Sequence, residues 1–128
     1  MWLFTKSGFY SVVRKPEDGP RLTIRSRARA DLVALRRDYL PNLSRIVERP
    51  QADYQFRAFA SRRDFARAAA KIASEIDYPN FKDEVRLELG QARAATYHRV
   101  WVALLELERF EGRVFIADLR QAALQADR

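Results

Sequence analysis

Three arginines at alternating positions of one short segment are the residues of this sequence best suited to hold an anion. Arg21, Arg25 and Arg27 lie in the segment RLTIRSR, in which Leu22 and Ile24 take positions of the opposite parity. Because successive side chains of a β-strand point to opposite faces, a strand here places all three arginines on one face. Guanidinium groups match phosphate geometry and attract polyanions when clustered. The segment therefore predicts phosphate contacts.

The positive charge is concentrated in the front of the chain. Residues 1–50 carry 11 Lys and Arg against 5 Asp and Glu, so they hold +6 of the formal net charge of +7. The excess of Arg over Lys has a simpler explanation in a GC-rich genome, but codon bias does not explain the asymmetry. The alternative is a solvated face that Asp31, Asp38 and Glu48 partly neutralise. The residues assigned to a nucleic-acid interface, with either Phe9 or Tyr10 stacking on a base, are Arg14, Lys15, Arg21, Arg25, Arg27, Arg29, Phe9 and Tyr10.

Aromatic residues accompany the basic ones on the predicted strands. The segment Lys6–Val13, KSGFYSVV, shares a basic residue, a Gly-aromatic pair and a valine with the central strand of the RNA recognition motif. It lacks the glycine that directly follows the basic residue and the closing aromatic. Aromatics occur at both strand parities, so some must face away from the helices. Nucleic acid, a second copy of the protein or the C-terminal helices are the candidates to cover them.

Other chemistry finds little support. His98 is the single histidine, and its helical neighbours Ala94 and Val102 offer neither a second metal ligand nor a carboxylate. The polar segment 77–84 is either a cleft or a helix start, and its first-turn carboxylates favour the helix start. Four scattered glycines build no phosphate-binding loop. We therefore expect a binding protein rather than an enzyme, with no metal and no cofactor.

The hydrophobic pattern alternates twice between strand and helix spacing. The aromatic and β-branched start predicts a strand over 2–14, in which a bulge at Gly8 is preferred to a tight hairpin at Lys6-Ser7-Gly8. The further predicted elements are strands 21–27, 44–49 and 54–60, helices 28–40 and 61–76, a short helix closed by Gly90, a longer apolar helix through Tyr97–Leu107, and a last helix around Phe115–Ala123.

These elements predict an α+β protein with an antiparallel sheet of about four strands in ββαββα order. A ferredoxin-like or permuted ferredoxin-like sandwich over 1–76, with a helical extension over 77–128, makes one domain of 1–128. Both sandwich helices are expected on one face of the sheet. We expect their residues Leu32, Leu35, Phe65 and Ile72 to be almost fully buried.

Two segments carry a resemblance to known sequences. The start MWLFTKSGFYSVV and the stretch IDYPNFKDEV, Ile76–Val85, resemble a family of small uncharacterised bacterial proteins of similar length. The resemblance covers about residues 1–105. It implies a single α+β domain of bacterial origin, and it implies no activity or functional residue, because none is established for that family.

The composition limits the cellular locations and the binding partners that we expect for the protein. There is no cysteine, Lys6 interrupts the apolar start, and the longest apolar run is the six-residue segment Val100–Leu105. We expect a cytoplasmic protein without membrane association. Our first interpretation is a non-enzymatic protein whose basic front half contacts RNA or another nucleic acid with little base specificity. The alternative is an interaction or regulatory domain that self-associates as a homodimer through its sheet face or C-terminal helices and binds no nucleic acid. The basic front half would then be a solvated surface or a dock for an acidic protein partner.

Overall fold

The computed structural model describes residues 1–110, which form an open antiparallel sheet of five strands with four α-helices. The strands are β1 Trp2–Thr5, β2 Gly8–Val13, β3 Leu22–Ser26, β4 Val47–Glu48 and β5 Phe56–Ala60. The helices are α1 Arg29–Asp38, α2 Arg62–Ser74, α3 Phe81–Leu89 and α4 Gln91–Leu104, and a short 3-10 helix spans Pro16–Asp18. The strands lie in the order β1-β2-β3-β5-β4. The α+β class and the antiparallel sheet are confirmed.

The first predicted strand is a hairpin, so the preferred bulge at Gly8 is wrong. β1 and β2 pair from Trp2 opposite Ser11 to Thr5 opposite Gly8. The Thr5 hydroxyl closes the turn, because it accepts the backbone N–H of Gly8 and donates to the Gly8 carbonyl. A Cβ at Gly8 would lie 2.7 Å from the Asp31 side chain and from the Tyr10 hydroxyl. The glycine is therefore needed for close packing of α1 on β2.

One face of the sheet holds the main core. The side chains that pack there come from β2, β3 and β5 and from helices α1 and α2, and include Tyr10, Val12, Ile24, Ala58, Leu32, Leu35, Phe65 and Ala68. Both helices therefore cover the same face, as predicted. Leu32, Leu35 and Phe65 are buried, whereas Ile72 is only half-buried because one side of it faces an open cleft between α2 and β1.

The second predicted hairpin is present but shorter than 44–49 with 54–60. β4 is two residues long, and beside Ser44 the ladder becomes irregular. The Ser44 N–H donates to the Phe59 carbonyl, but the Phe59 N–H bonds to the Ser44 hydroxyl instead of its carbonyl. That carbonyl accepts a hydrogen bond from the Arg36 guanidinium. The Arg36 side chain of α1 therefore bonds to the Ser44 carbonyl, which a longer β4 would need for pairing with β5.

Strands β2 to β5 and helices α1 and α2 follow the predicted ββαββα order, with β5 between β3 and β4. β1 is an additional strand before this unit. The ferredoxin-like or permuted ferredoxin-like arrangement is not confirmed.

Helices α3 and α4 form a second cluster, in which Val85, Ala94 and Tyr97 are buried and Phe4 and Phe9 pack against them. Because Phe4 is directly opposite Phe9 in the hairpin, this cluster lies on the face of β1 and β2 that α1 does not cover. Gly90 separates the two helices with a φ of 93°, a backbone conformation that favours glycine. The predicted helix around Phe115–Ala123 lies outside the described residues.

Candidate nucleic-acid interface

The second face of the central strands is built around two arginines. Arg25 of β3 is directly opposite Arg57 of β5, and Arg57 is in turn opposite Val47 of β4. Directly opposed like charges destabilise a sheet, so this register has an electrostatic cost. The Arg25 Nη2 donates to the Ser11 hydroxyl over 2.7 Å. The pair is therefore fixed to the centre of the sheet rather than to its edge.

Aromatic rings support the guanidinium groups of this face. The Arg21 guanidinium lies 4.2 Å from the centroid of the Phe59 ring. Those of Arg25 and Arg27 lie 4.6 and 4.7 Å from the centroid of the Tyr54 ring. Cation–π contact holds a guanidinium plane in one orientation while its N–H edge stays able to donate. We call the set Arg21, Arg25, Arg27, Arg57, Tyr54 and Phe59 the arginine face.

Arg57 is the buried member, with 4% of its surface exposed. Its Nη2 donates to the Tyr54 carbonyl over 3.3 Å, and its Nε has no hydrogen-bond partner in the part of the chain that the structure describes. Burial lowers the pKa of the Arg57 guanidinium, and the charges of Arg49 and Arg25 lower it further. Asp53 and Asp18 act in the opposite direction with smaller effects. The surroundings of Arg57 are therefore net repulsive for a cation.

Carboxylates do not neutralise the arginine face. Across residues 1–110, neither Arg25 nor Arg57 forms an ion pair. The three acidic residues that the solvated-face alternative invokes are engaged elsewhere. Asp31 binds Arg93, Asp38 pairs with its neighbour Arg37, and Glu48 accepts from Gln55.

The structure brings together three of the predicted basic residues and leaves the others apart. Arg21 and Arg27 are exposed on the arginine face, whereas Arg25 is half-buried. The three arginines share one face as predicted, but Arg25 is less accessible to solvent than the other two. Arg14 is exposed just after β2, Arg29 is exposed at the first residue of α1, and Lys15 is half-buried before the 3-10 helix.

The two aromatics assigned to base stacking lie on opposite faces. Phe9 shares the parity of Ser11 but is half-buried, and its ring stacks on Phe4 with centroids 4.5 Å apart. Tyr10 is fully buried in the main core and donates its hydroxyl to the Asp31 carbonyl over 2.8 Å. Burial raises the pKa of Tyr10. The assignment of Tyr10 to base stacking is therefore wrong, because its ring is closed to solvent within the main core.

Arg57 and Tyr54 are the functional candidates that the sequence interpretation missed. Residues 51–90 are electrically neutral in total, so counting charges by segment hid Arg57. The signal that could have found it is the segment RAF in β5, where Arg57 and Phe59 share the parity that faces away from Ala58 and the core. Tyr54 reaches the same face because Gln55 lies outside the regular strand.

Helix α4 is held against the sheet by a polar network at the first residues of β2. The Asp31 carboxylate accepts the Phe9 N–H over 2.9 Å, and the Arg93 guanidinium donates to both its oxygens over 2.7 and 2.9 Å. The same guanidinium donates to the Tyr97 hydroxyl. The carboxylate of Asp31, which lies within the basic front half, is thus a structural group.

His98 and the segment 77–84 have mainly structural surroundings. His98 is exposed, its ring stacks on Trp101, and its Nδ1 is 3.1 Å from the Lys82 Nζ. Asn80 caps α3, because its side-chain oxygen accepts the Asp83 N–H over 3.0 Å. Pro79–Lys82 also lines an apolar cleft of about 370 Å³. The predicted helix start is therefore present, with a cleft beside it.

Within residues 1–110, no group of three or more His, Asp or Glu side chains could hold a metal ion. None of the helices described here is long and apolar enough to cross a membrane. Comparison with known proteins finds no matching family model, no similar curated protein and no similar solved structure.

Proposed function

We propose that the protein binds RNA or another nucleic acid through its arginine face, with little base specificity. The observation that carries this proposal is the direct opposition of Arg25 and Arg57 without a carboxylate partner anywhere in residues 1–110. A polyanion supplies the missing negative charge. Phosphate is the favoured group because the guanidinium edge donates two parallel hydrogen bonds to it.

The low base specificity follows from what the rings already contact. Tyr54 and Phe59 hold guanidinium groups, so their faces are less free to stack on bases. The remaining contacts are to phosphates, which position a strand without reading its sequence.

A finer fold assignment supports the same surface. We propose that β2 to α2 is a permuted ferredoxin-like sandwich, since β5 lies between β3 and β4 and both helices lie on one face. The RNA recognition motif, one protein module built on a four-stranded sheet, binds single-stranded RNA on its sheet. In this protein α3 and α4 cover that face only along β1 and β2, which leaves the arginine face uncovered by helices of the described region.

Salt dependence of binding tests the nucleic-acid proposal. Fluorescence anisotropy with a labelled mixed-sequence single-stranded RNA should give an affinity that falls steeply with salt. Each phosphate contact contributes about −0.7 to the slope of log K against log salt, so Arg21, Arg25 and Arg27 changed together to Gln should flatten the slope by about 2.

The matched control removes the same charge from the opposite side of the sheet. Arg62, Arg63 and Arg67 are exposed on α2, and their change to Gln should leave most of the slope in place. Equal losses in the two triple variants would show that net charge, not the arginine face, drives binding. Absence of binding by the wild-type protein at low salt and micromolar concentration would end the proposal.

Self-association is a second candidate, and a separate observation favours it. The end of α4 and the residues after it expose a run of large apolar side chains, namely Trp101, Val102, Leu104, Leu105 and Leu107. Exposed apolar clusters of this kind mark interaction surfaces. A second copy of the chain that packs on this segment would give a dimeric mass in solution.

A further inference from the structure

Two guanidinium groups in the centre of the arginine face have unsatisfied hydrogen-bonding capacity. The Nε atoms of Arg25 and Arg57 are both buried and have no hydrogen-bond partner among residues 1–110. The bonds that the two side chains do form go to neutral acceptors, the Ser11 hydroxyl and the Tyr54 carbonyl. A buried charge is costly unless it is paired and hydrogen-bonded. Residues 1–110 alone therefore leave this pair incompletely compensated.

The two carboxylates that act electrostatically on Arg57 accept hydrogen bonds from other nearby groups. Asp18 accepts the Thr23 hydroxyl over 2.7 Å, and Asp53 accepts the N–H of the following residue over 2.9 Å. Both influence Arg57 only through space, where Arg49 and Arg25 oppose them. A compensating anion must then come from outside the described chain.

The strand register places Arg25 directly opposite Arg57, and their spacing and charge indicate which kind of anion would fit between them. Directly opposite residues on antiparallel strands have their Cα atoms about 4.5–5.5 Å apart, so two guanidinium groups can converge on one tetrahedral oxyanion. Two positive charges match a doubly charged group. Ser11 is 1% exposed, and its hydroxyl lies 2.7 Å from the Arg25 Nη2, where it would give an anion held by Arg25 a third polar contact.

We propose that Arg25, Arg57 and Ser11 form a site for one dianionic phosphate monoester group. This inference deepens the proposed function. It rests on that function where the ligand is a nucleic-acid strand, because a strand carries a phosphate monoester only at its phosphorylated end. A small phosphorylated compound carries the same chemistry. The ligand approaches from the side of Arg25, which is half-exposed, since Arg57 is nearly closed to solvent.

The first measurement uses inorganic phosphate and therefore does not depend on nucleic acid. At constant ionic strength, phosphate should raise the thermal midpoint of the full chain above its value in chloride, because ligands that bind only the folded state stabilise it. The shift should disappear in Arg25→Gln and persist in Arg63→Gln, an exposed change on α2.

The second measurement compares one oligonucleotide with and without a 5′-phosphate. A charge-assisted contact to the terminal phosphate should tighten binding about tenfold, and Arg25→Gln should abolish this ratio while Arg63→Gln keeps it. Protection by inorganic phosphate together with the tenfold ratio supports the end of a strand as the source. Protection without the ratio supports a small phosphorylated compound.

Failure of the inference is distinguishable from failure of the proposed function. No protection by phosphate and no 5′-phosphate effect would overturn the site, even if the unphosphorylated oligonucleotide binds with a steep salt slope. Protection by phosphate without any oligonucleotide binding would overturn the nucleic-acid proposal and leave the site standing.

A third variant separates an anion site from a structural arginine. Arg57→Met removes the unpaired buried charge and keeps much of the side-chain volume, so it should raise the thermal midpoint in chloride and remove the response to phosphate. A lower midpoint in chloride with an unchanged phosphate response would mean that Arg57 serves packing only, and the site would lose its central member.

Discussion

At the scale of single residues, the acidic and basic groups of this chain divide into structural and unsatisfied sets. Asp31 is nearly closed to solvent, and its carboxylate receives donors from two separate elements, the Phe9 N–H of β2 and the Arg93 guanidinium of α4. Arg57 is equally buried and has no carboxylate partner in the described chain. The contrast distinguishes an arginine that holds the fold together from one that is available to an external anion.

The Asp31–Arg93 pair should contribute measurably to stability. Breaking a buried ion pair on one side costs about 3–5 kcal/mol, and Asp31→Asn should lie near the lower end because Arg93 is about a quarter exposed. Arg93→Gln should cost at least as much, because it leaves the Asp31 carboxylate, whose side chain is 4% exposed, without its cation. Urea denaturation of both single variants and the double variant gives the coupling energy, which should exceed about 1 kcal/mol.

The surface pair Asp83–Arg86 is a suitable comparison, since its side chains are 61% and 50% exposed and its atoms are 2.9 Å apart. Its coupling energy should lie between about 0 and 1 kcal/mol. Equal coupling in the two pairs would contradict a structural role for Asp31.

At the scale of elements, local signals predicted the helices better than the strands. Ser61 and Asn80 begin α2 and α3 through bonds that span three residues, so nearby sequence is sufficient to find them. The β1–β2 turn depends on the Thr5 hydroxyl and on the approach of Asp31 to Gly8, and the latter is a contact between distant segments. The Arg25–Arg57 pairing depends on register across a 32-residue separation, which no local pattern contains.

The start of α2 allows the contribution of its N-terminal cap, Ser61, to be measured. The Ser61 hydroxyl accepts the Asp64 N–H over 3.0 Å, but the Asp64 carboxylate is 3.5 Å from the Asn42 amide nitrogen, and the reciprocal bond to Ser61 does not form. Ser61→Ala should therefore cost about 1 kcal/mol of unfolding free energy. Asp64→Asn should cost less than half of that, because it removes only a favourable charge near the helix start. A larger loss from Asp64→Asn would indicate that the complete capping box forms in solution.

At the scale of the whole molecule, the described residues present two surfaces of different chemistry. On the arginine face Arg21 and Arg27 reach solvent, whereas Arg57 and Tyr54 are buried. The arginine face lies on β3 and β5, whereas the apolar side chains lie at the end of α4. The sequence indicated the first through the charge excess of the front half, and it offered self-association through the C-terminal helices as an alternative. It left open whether nucleic acid, a second copy or the C-terminal helices cover the outward aromatics. Helices α3 and α4 cover Phe4 and Phe9 through packing that joins distant parts of the chain.

Because the two surfaces are separate, their functions should be separable by mutation. Trp101 is 52% exposed, and the Lys82 ammonium lies 4.5 Å from its ring, so Glu at this position would place a charge in the apolar cluster without opening the main core. If α4 mediates self-association, Trp101→Glu should lower the mass measured by light scattering from dimer to monomer at tens of micromolar. Leu87→Glu is the matched control, because Leu87 is 82% exposed on α3 and near the Gly90 turn, away from Trp101. The RNA salt slope should stay unchanged in both variants. A wild-type mass that is already monomeric would exclude self-association through α4, and a flattened salt slope in Trp101→Glu would contradict the separation of the two surfaces.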